Sequence, residues 1–327
     1  MLSIPHRGRG TARLAVSVAA IAVVVHGIDP AALGRLLSTA APRLLIPAIA
    51  LGALAQASAF PQWAVLLGER SSLGWRPLAS VFLRATFIGQ ALPTGVGGDA
   101  VRTVEVGRTL GYGTALGSVI ASHLMGLLAM GCWAVAGSVF VSGLPAGMSR
   151  VLAAAFLLAV TVLALGALNG DRVLHRVRGG RRVTRMLVEV GQSLASYRSR
   201  RRLLASAFAV CIVGWALSLV SMVLFASSVG AHPGWQVFAL AVPVSLAATL
   251  LPVTINGFGI REGIFVGILA HTGVGTVAAT AIAVFADLQI LPVALLGAVL
   301  CLGRLRPRRR GIAVTRLSPL SPQRDHC

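Results

Sequence analysis

The sequence predicts an all-α polytopic membrane protein, in which about six full transmembrane helices and two re-entrant helical hairpins form an inverted-topology repeat. Three observations lead to this prediction. The 327 residues are 56% hydrophobic, with a mean hydropathy of +0.83, whereas a soluble domain carries about a quarter charged residues. Apolar runs of membrane-spanning length recur along the chain. Two motifs rich in proline or glycine interrupt these runs at matching places.

Six apolar runs supply the predicted transmembrane helices, because a helix needs roughly 17 to 25 apolar residues to cross the hydrocarbon core. They lie at about 13–28, 44–67, 114–142, 151–168, 203–228 and 274–302. The first run and its basic start also fit a signal peptide, but no small-residue cleavage site clearly follows, which favours a retained span. Two shorter runs, near 77–92 and 235–251, end at a proline followed by glycines, which favours re-entrant arms.

The basic residues predict the orientation of the chain. All 29 are arginines, against nine acidic residues, and they concentrate near the N-terminus, in 169–202 and after residue 303. By the positive-inside rule these three segments, including both termini, are expected on the cytoplasmic side of the cell membrane, facing anionic lipid. The net charge of +20 alone would also fit a nucleic-acid-binding protein, but the arginines do not follow one face of a soluble module, so no nucleic-acid partner is expected.

The chain is interpreted as one transmembrane domain, 1–303, followed by a basic cytoplasmic tail, 304–327, that is expected to be disordered. Its first half covers about 13–142 and its second about 151–302, with a cytoplasmic linker at 169–202. The linker places Val183, Met186, Leu187, Val190 and Leu194 at helical spacing. This pattern indicates an amphipathic helix on the anionic leaflet, and an ordinary solvated loop fits equally well.

The two halves show an internal repeat with an offset of 159 residues. The offset places "LPTGVGGDAVR", from Leu92, on "LPVTINGFGIR", from Leu251, with identical residues at four positions. It also carries 44–67 onto 203–226 and 114–142 onto 273–301. Each half has three crossings, an odd number, so the second half must enter the membrane from the opposite side, as in secondary transporters with inverted repeats.

Each motif is predicted to form the turn of a re-entrant hairpin, because irregular backbone at membrane depth is tolerated only inside protein or beside a water-filled cavity. Prolines end the incoming arm, and glycines permit a tight reversal. The outgoing helix would direct its N-terminal amides inward, where they favour an anion. The candidate turn residues are Pro93, Gly95, Gly97, Gly98, Pro252, Asn256, Gly257, Gly259 and Gly263.

Charged residues beside the turns are candidates for substrate binding, since intramembrane charge is costly and is functional by default. They are Asp99, Arg102, Arg261 and Glu262, with Asp287, inside the last span, as a proton or counter-ion site. The guanidinium groups suit bidentate contacts with phosphate. The structural alternative is that Asp99 pairs with Arg102, and Glu262 with an arginine of the other half, only to fix the hairpins.

Other polar residues are interpreted as structural. Arg84 and Glu105 are expected to snorkel to the interface, and His123 and His271 to be packing residues. Three of the four cysteines lie in apolar runs without ligand spacing, so no metal site and no cofactor are expected. The chain contains no lysine and therefore no nucleotide-binding phosphate loop, and the common hydrolase motifs are missing as well.

At its two motifs the chain resembles the flippase-like integral membrane family that includes the membrane domain of lysylphosphatidylglycerol synthases. The matching residues are "LPTGVGGDAVR" and "LPVTINGFGIREG", and the likeness extends over roughly 13–303. It implies a transporter-like domain that moves or binds phospholipids or lipid-linked sugars. The resemblance points at Pro93, Gly98, Asp99 and Arg102, and at Pro252, Gly257, Gly259, Arg261, Glu262 and Gly263.

The chain differs from the lysyl-transferring members of the family in one respect. Those members append a large soluble catalytic domain, whereas only about 25 mostly polar residues follow the last span here. Aminoacyl transfer is therefore not expected, and we do not expect an enzyme. The expected function is movement of an anionic phospholipid or lipid-linked glycan across the membrane. Two alternatives remain: a membrane-embedded enzyme acting on a lipid phosphate, and a non-transporting partner of a cell-envelope glycosyltransferase.

Overall fold

The computed structural model describes residues 30–68, 73–91, 97–141, 146–174, 182–248 and 260–305. These residues are almost entirely helical and contain no strand. The helices are α1 (Pro30–Ser38), α2 (Pro42–Ala57), α3 (Ala59–Leu67), α4 (Trp75–Ala91), α5 (Gly97–Leu110), α6 (Tyr112–Phe140), α7 (Ala146–Leu168), α8 (Gly170–Leu174), α9 (Arg182–Ala195), α10 (Arg201–Ser228), α11 (Trp235–Ala248), α12 (Ile260–His271), α13 (Thr276–Leu288) and α14 (Leu291–Leu305), with a 3₁₀ turn at Ser196–Ser199 between α9 and α10.

Five helical segments within the described residues are long and apolar enough to cross a membrane. They are Pro42–Leu67, Tyr112–Phe140, Gly147–Leu168, Arg201–Ser228 and Thr276–Leu302. Each coincides with a predicted span, and the predicted span at 13–28 lies outside the described residues. The prediction of an all-α polytopic membrane protein is therefore confirmed.

Two of these segments are broken into two helices near a proline. The first breaks at Ser58, between α2 and α3, and Pro61 follows in the first turn of α3. The last breaks between α13 and α14, and Pro292 is the second residue of α14. Proline has no backbone N–H to donate to the preceding turn and its ring crowds that turn, so the helix ladder is interrupted at both places.

Four shorter helices flank the two motifs, and α5 and α12 begin within them. Helices α4 and α5 pack against each other, as do α11 and α12. The offset of 159 places 75–91 on 234–250 and 97–110 on 256–269, close to the bounds of α11 and α12. Gly97 and Gly98 begin α5, and Gly263 lies within α12. The other candidate turn residues, Pro93, Gly95, Pro252, Asn256, Gly257 and Gly259, lie outside the described residues, so re-entry stays a prediction.

The two halves pack against each other along equivalent helices. Helix α2 runs against α10, and Ser221 of α10 donates to the carbonyl oxygen of Ala48 at 2.6 Å. The offset of 159 relates α4 to α11, and it relates α6 to α13 and α14. Helix α4 packs against α14, and α11 packs against α6, so these two contacts between the halves are equivalent. This symmetry agrees with the repeat, while the opposite membrane orientation of the halves remains a prediction.

Large apolar side chains cover the outer surfaces of α2, α7 and α14. They include Ile46 and Leu54 on α2, Leu158, Val162 and Leu163 on α7, and Leu295 and Val299 on α14, all of them exposed. An apolar surface of this extent suits contact with lipid chains rather than water. The buried core between the helices contains stacked Phe225 and Phe285, whose ring centroids are 4.0 Å apart.

The linker helix α9 lies against the transmembrane domain. Val190 and Leu194 are buried with Leu66 of α3 and Ala207 of α10, whereas Met186 and Leu187 are exposed. Helix α6 accommodates α9 at two glycines, where a Cβ would collide with the side chain of Glu189 or Ser193. The apolar face of the linker is therefore divided between the protein and the surroundings, rather than being presented whole to a leaflet.

Candidate functional site

A cavity of about 750 Å³ lies among α2, α3, α4, α5, α6 and α10. Its lining is rich in polar side chains from all six helices and from the joint between α2 and α3: Gln56, Ser58, Gln62, Thr86, Gln90, Asp99, Arg102, Ser122, His123 and Ser218. Polar groups in a membrane domain need partners, because lipid chains cannot supply hydrogen bonds. A cavity of this size and polarity suits a hydrated or ligand-bearing site.

The first predicted charge pair, Arg102 and Asp99, lies in this cavity. Both residues belong to the first two turns of α5, and Arg102 donates through Nη2 to Asp99 Oδ1. His123 of α6 donates through Nε2 to the other carboxylate oxygen, Oδ2, at 2.8 Å. One carboxylate therefore bridges a guanidinium and an imidazole, both of which also line the cavity.

Two aromatic rings hold the guanidinium of Arg102. Its carbon Cζ lies 5.5 Å from the ring centroid of Trp63 and 5.8 Å from that of Phe82. Contacts of this kind contribute about 0.5–2 kcal/mol, depending on desolvation. Trp63 is itself fixed by burial and by its indole N–H, which donates to Ser118 Oγ at 3.1 Å. Arg102 thus keeps its charge at the cavity with limited freedom to move.

Two further hydrogen bonds tie the neighbouring walls of the cavity together. Gln62 of α3 is buried, and its Nε2 donates to the carbonyl oxygen of Ser122 at 2.6 Å. Trp215 of α10 donates to the carbonyl oxygen of Gly126 at 3.0 Å. Because both acceptors belong to α6, this helix is anchored on either side of His123.

The expectation that Arg84 and Glu105 snorkel to the interface is wrong. The side chain of Arg84 is only 4% exposed, and it donates to Ser80 Oγ and to Glu105 Oε2. Arg84 is on α4 and Glu105 on α5, so the pair fastens the two arms of the first motif. A buried guanidinium is tolerable here because a carboxylate and a hydroxyl satisfy it.

The second predicted set forms a separate group of contacts in the other half. Arg261 donates through Nε and Nη2 to Glu262 Oε1, at 3.1 and 2.9 Å, and through Nη2 to Asp287 Oδ1. Helix α12 is thereby joined to α13. None of these three residues lines the 750 Å³ cavity. Glu262 pairs with an arginine of its own half, unlike the cross-half pairing considered from the sequence.

His123 is the functional candidate that sequence reasoning missed, since it was interpreted as a packing residue. A signal for its role was present: Asp99 and His123 lie twelve residues on either side of Gly111. Gly111 has φ +85°, a left-handed conformation that favours glycine, and it joins α5 to α6 in a tight turn. Residues equidistant from such a turn lie at the same level of an antiparallel helix pair, and they meet where both are on the facing sides.

The comparison with protein families agrees with the motifs. The model described as "Lysylphosphatidylglycerol synthase TM region" matches residues 10–314. No curated protein matches the chain. The family match covers most of the sequence and confirms the resemblance found at the two motifs. The chain therefore belongs to the lysylphosphatidylglycerol synthase transmembrane-region family.

Proposed function

We propose that this protein is a flippase-like transporter that moves an anionic phospholipid or lipid-linked glycan across the cytoplasmic membrane. The observation that carries the proposal is Arg102, a fixed cation on the wall of a cavity with several polar side chains inside an apolar helical domain. A guanidinium in such a place can bind a phosphate oxygen through charge-assisted hydrogen bonds. The family match supports a role in lipid handling.

The head group would occupy the cavity, while the acyl chains remain in the bilayer. Arg102 would bind the phosphate, and the amides and hydroxyls of Gln56, Ser58 and Gln90 would take the place of water around the rest of the head group. The apolar outer surfaces described above suit chains that stay in the hydrocarbon. Passage of the head group then avoids the cost of exposing its charge to lipid.

The second group of charges would act in the movement of the second half and would not make the first contact with the head group. It consists of Arg261, Glu262 and Asp287. Two carboxylates share one guanidinium there. Exchange of a proton or of a pairing partner in this group would change the contact between α12 and α13, as alternating access between repeats requires. We also propose that both termini are cytoplasmic, because arginines concentrate beside them and in the linker.

Replacing Arg102 tests the proposal directly. Arg102→Ala removes the guanidinium that lines the cavity, and we expect it to abolish the movement of labelled phosphatidylglycerol in reconstituted vesicles. Arg108→Ala is the matched control, because Arg108 lies on the same helix but is exposed; it should retain movement. A folded Arg102→Ala protein that moves lipid at the rate of the unsubstituted protein would contradict the proposal.

A second candidate function is an enzyme that acts on a lipid phosphate, and the contact between Asp99 and His123 favours it. A carboxylate that orients an imidazole is a common arrangement for general base or nucleophilic catalysis. Incubation of the purified protein with radiolabelled lipid distinguishes the two functions. A chemically changed lipid would establish the enzyme, whereas unchanged lipid on the opposite leaflet would establish the transporter.

A further inference from the structure

We propose that His123 is a second head-group-binding residue, which, when protonated, adds a positive charge beside Arg102 and tightens the binding of a phosphodiester. This inference rests on the proposed function, since it concerns the same cavity. It assigns the site a substrate class, the phosphodiester monoanion, and a dependence of affinity on pH.

The geometry leaves His123 available to a ligand. Its Nε2 donates to Asp99, while the side chain as a whole remains 59% exposed and lines the cavity. Because a carboxylate accepts but does not donate, this hydrogen bond keeps the proton on Nε2. In the neutral ring Nδ1 is then an acceptor and repels a phosphate oxygen; in the protonated ring Nδ1 becomes a charged donor to it.

Protonation of His123 would change the net charge of the group formed by Asp99, Arg102 and His123, and so its attraction for an anion. With neutral His123, the guanidinium of Arg102 and the carboxylate of Asp99 cancel each other. Protonation of His123 leaves the group with a net positive charge while the carboxylate still holds both cations in place. A phosphodiester stays a monoanion throughout the range in which histidine titrates, so only the protein changes its charge there.

Other ionisable groups near His123 are few among the described residues. Helix α5 contributes Asp99 and Arg102, and α10 contributes Cys211 to the same cavity. Helices α3 and α11, which also pack on α6, contain no acidic or basic side chain. Arg150 of α7 and Glu189 of α9 do not line the cavity; Glu189 meets α6 at Gly113, about three turns from His123.

The test is the affinity for two phosphodiester lipids at about pH 5 and about pH 8, which bracket the titration of histidine. The probes are short-chain phosphatidylglycerol and a polyprenyl-phosphate-linked sugar, each titrated into the detergent-solubilised full chain. We expect at least one probe to bind about tenfold more tightly at the lower pH, the gain of one charge-assisted hydrogen bond. The probe that shows this step identifies the source of the phosphodiester.

Substitution of His123 tests whether its imidazole causes this pH step, the change in affinity between the two pH values. His123→Gln should bind with the weaker affinity at both pH values, and His123→Arg with the stronger affinity at both. His271→Gln is the control, because His271 contacts the carbonyl oxygen of Gly267 in its own helix and does not line the cavity; it should keep the step. A full pH step in folded His123→Gln or His123→Arg would overturn the inference.

Failure of this inference is distinguishable from failure of the proposed function. Arg102→Ala should lose binding at both pH values. If it does so while His123→Gln keeps the step, the cavity binds the head group but His123 is not a ligand. If Arg102→Ala binds as the unsubstituted protein does, or the unsubstituted protein binds neither probe, the proposed function itself is overturned.

Discussion

Gly98 lies at a close approach between the two arms of the first motif. A Cβ at this position would stand 2.6 Å from the carbonyl oxygen of Ala85 on α4, and a Cβ at Gly89 would stand 3.2 Å from the backbone nitrogen of Gly98. The sequence suggested that Gly98 was needed for a turn. The structure adds a second reason, because the absence of a side chain in the first turn of α5 lets α4 and α5 approach.

Gly98→Ala should therefore destabilise the protein. The added methyl group would push α5 away from α4, with an expected loss of about 1–3 kcal/mol in the free energy of unfolding, as for other overpacked sites. Gly166→Ala, in the last turn of α7 with nothing within 4 Å of the new Cβ, should be neutral or slightly stabilising. Thermal unfolding in detergent compares the two, and equal midpoints would contradict the close packing of the arms.

Helix α9 packs against the rest of the protein through one face only. Leu194 is buried with Tyr197, whose hydroxyl donates to the carbonyl oxygen of Leu66 at 2.9 Å. Arg198 follows directly and donates to Asn169 Oδ1 at 3.0 Å and to Asp171. The amphipathic pattern indicated a helix on the anionic leaflet, and a solvated loop fitted equally well. It did not indicate a protein surface as the partner, because lipid and protein both select apolar residues at helical spacing.

The two faces of α9 give opposite expectations for the same substitution. Leu194→Asp would bury an uncompensated carboxylate and should cost about 3–5 kcal/mol in stability. Leu187→Asp, on the exposed face of the same helix, should change stability by no more than about 0.5 kcal/mol. Thermal unfolding of the two variants is the measurement, and a Leu187 variant that unfolds as readily as the Leu194 variant would show that α9 is docked by its other face.

The length of the apolar runs was sufficient to predict the membrane-spanning helices. The run at 114–142 became Tyr112–Phe140 and the run at 203–228 became Arg201–Ser228, because about twenty apolar residues have few alternatives to spanning a bilayer. The joints at Ser58 and before Leu291 were not predicted, although Pro61 and Pro292 were visible.

The contacts of individual charges were harder to predict than the spans. Arg102 and Asp99 were correctly suspected of pairing because they lie one helical turn apart. His123 and the pairing of Arg84 with Glu105 depend on how α4, α5 and α6 pack, and apolar patterns specify which face is buried but not which polar groups meet there.

In the proposed topology the two halves insert from opposite sides, so that each motif enters the membrane from a different leaflet. Single cysteines at Ala100→Cys and Ile260→Cys, at the starts of α5 and α12, test it in a chain whose four native cysteines are replaced by serine. A membrane-impermeant maleimide should label Ala100→Cys only from the cytoplasmic side and Ile260→Cys only from the outside. Labelling of both positions from one and the same side would contradict this inverted topology.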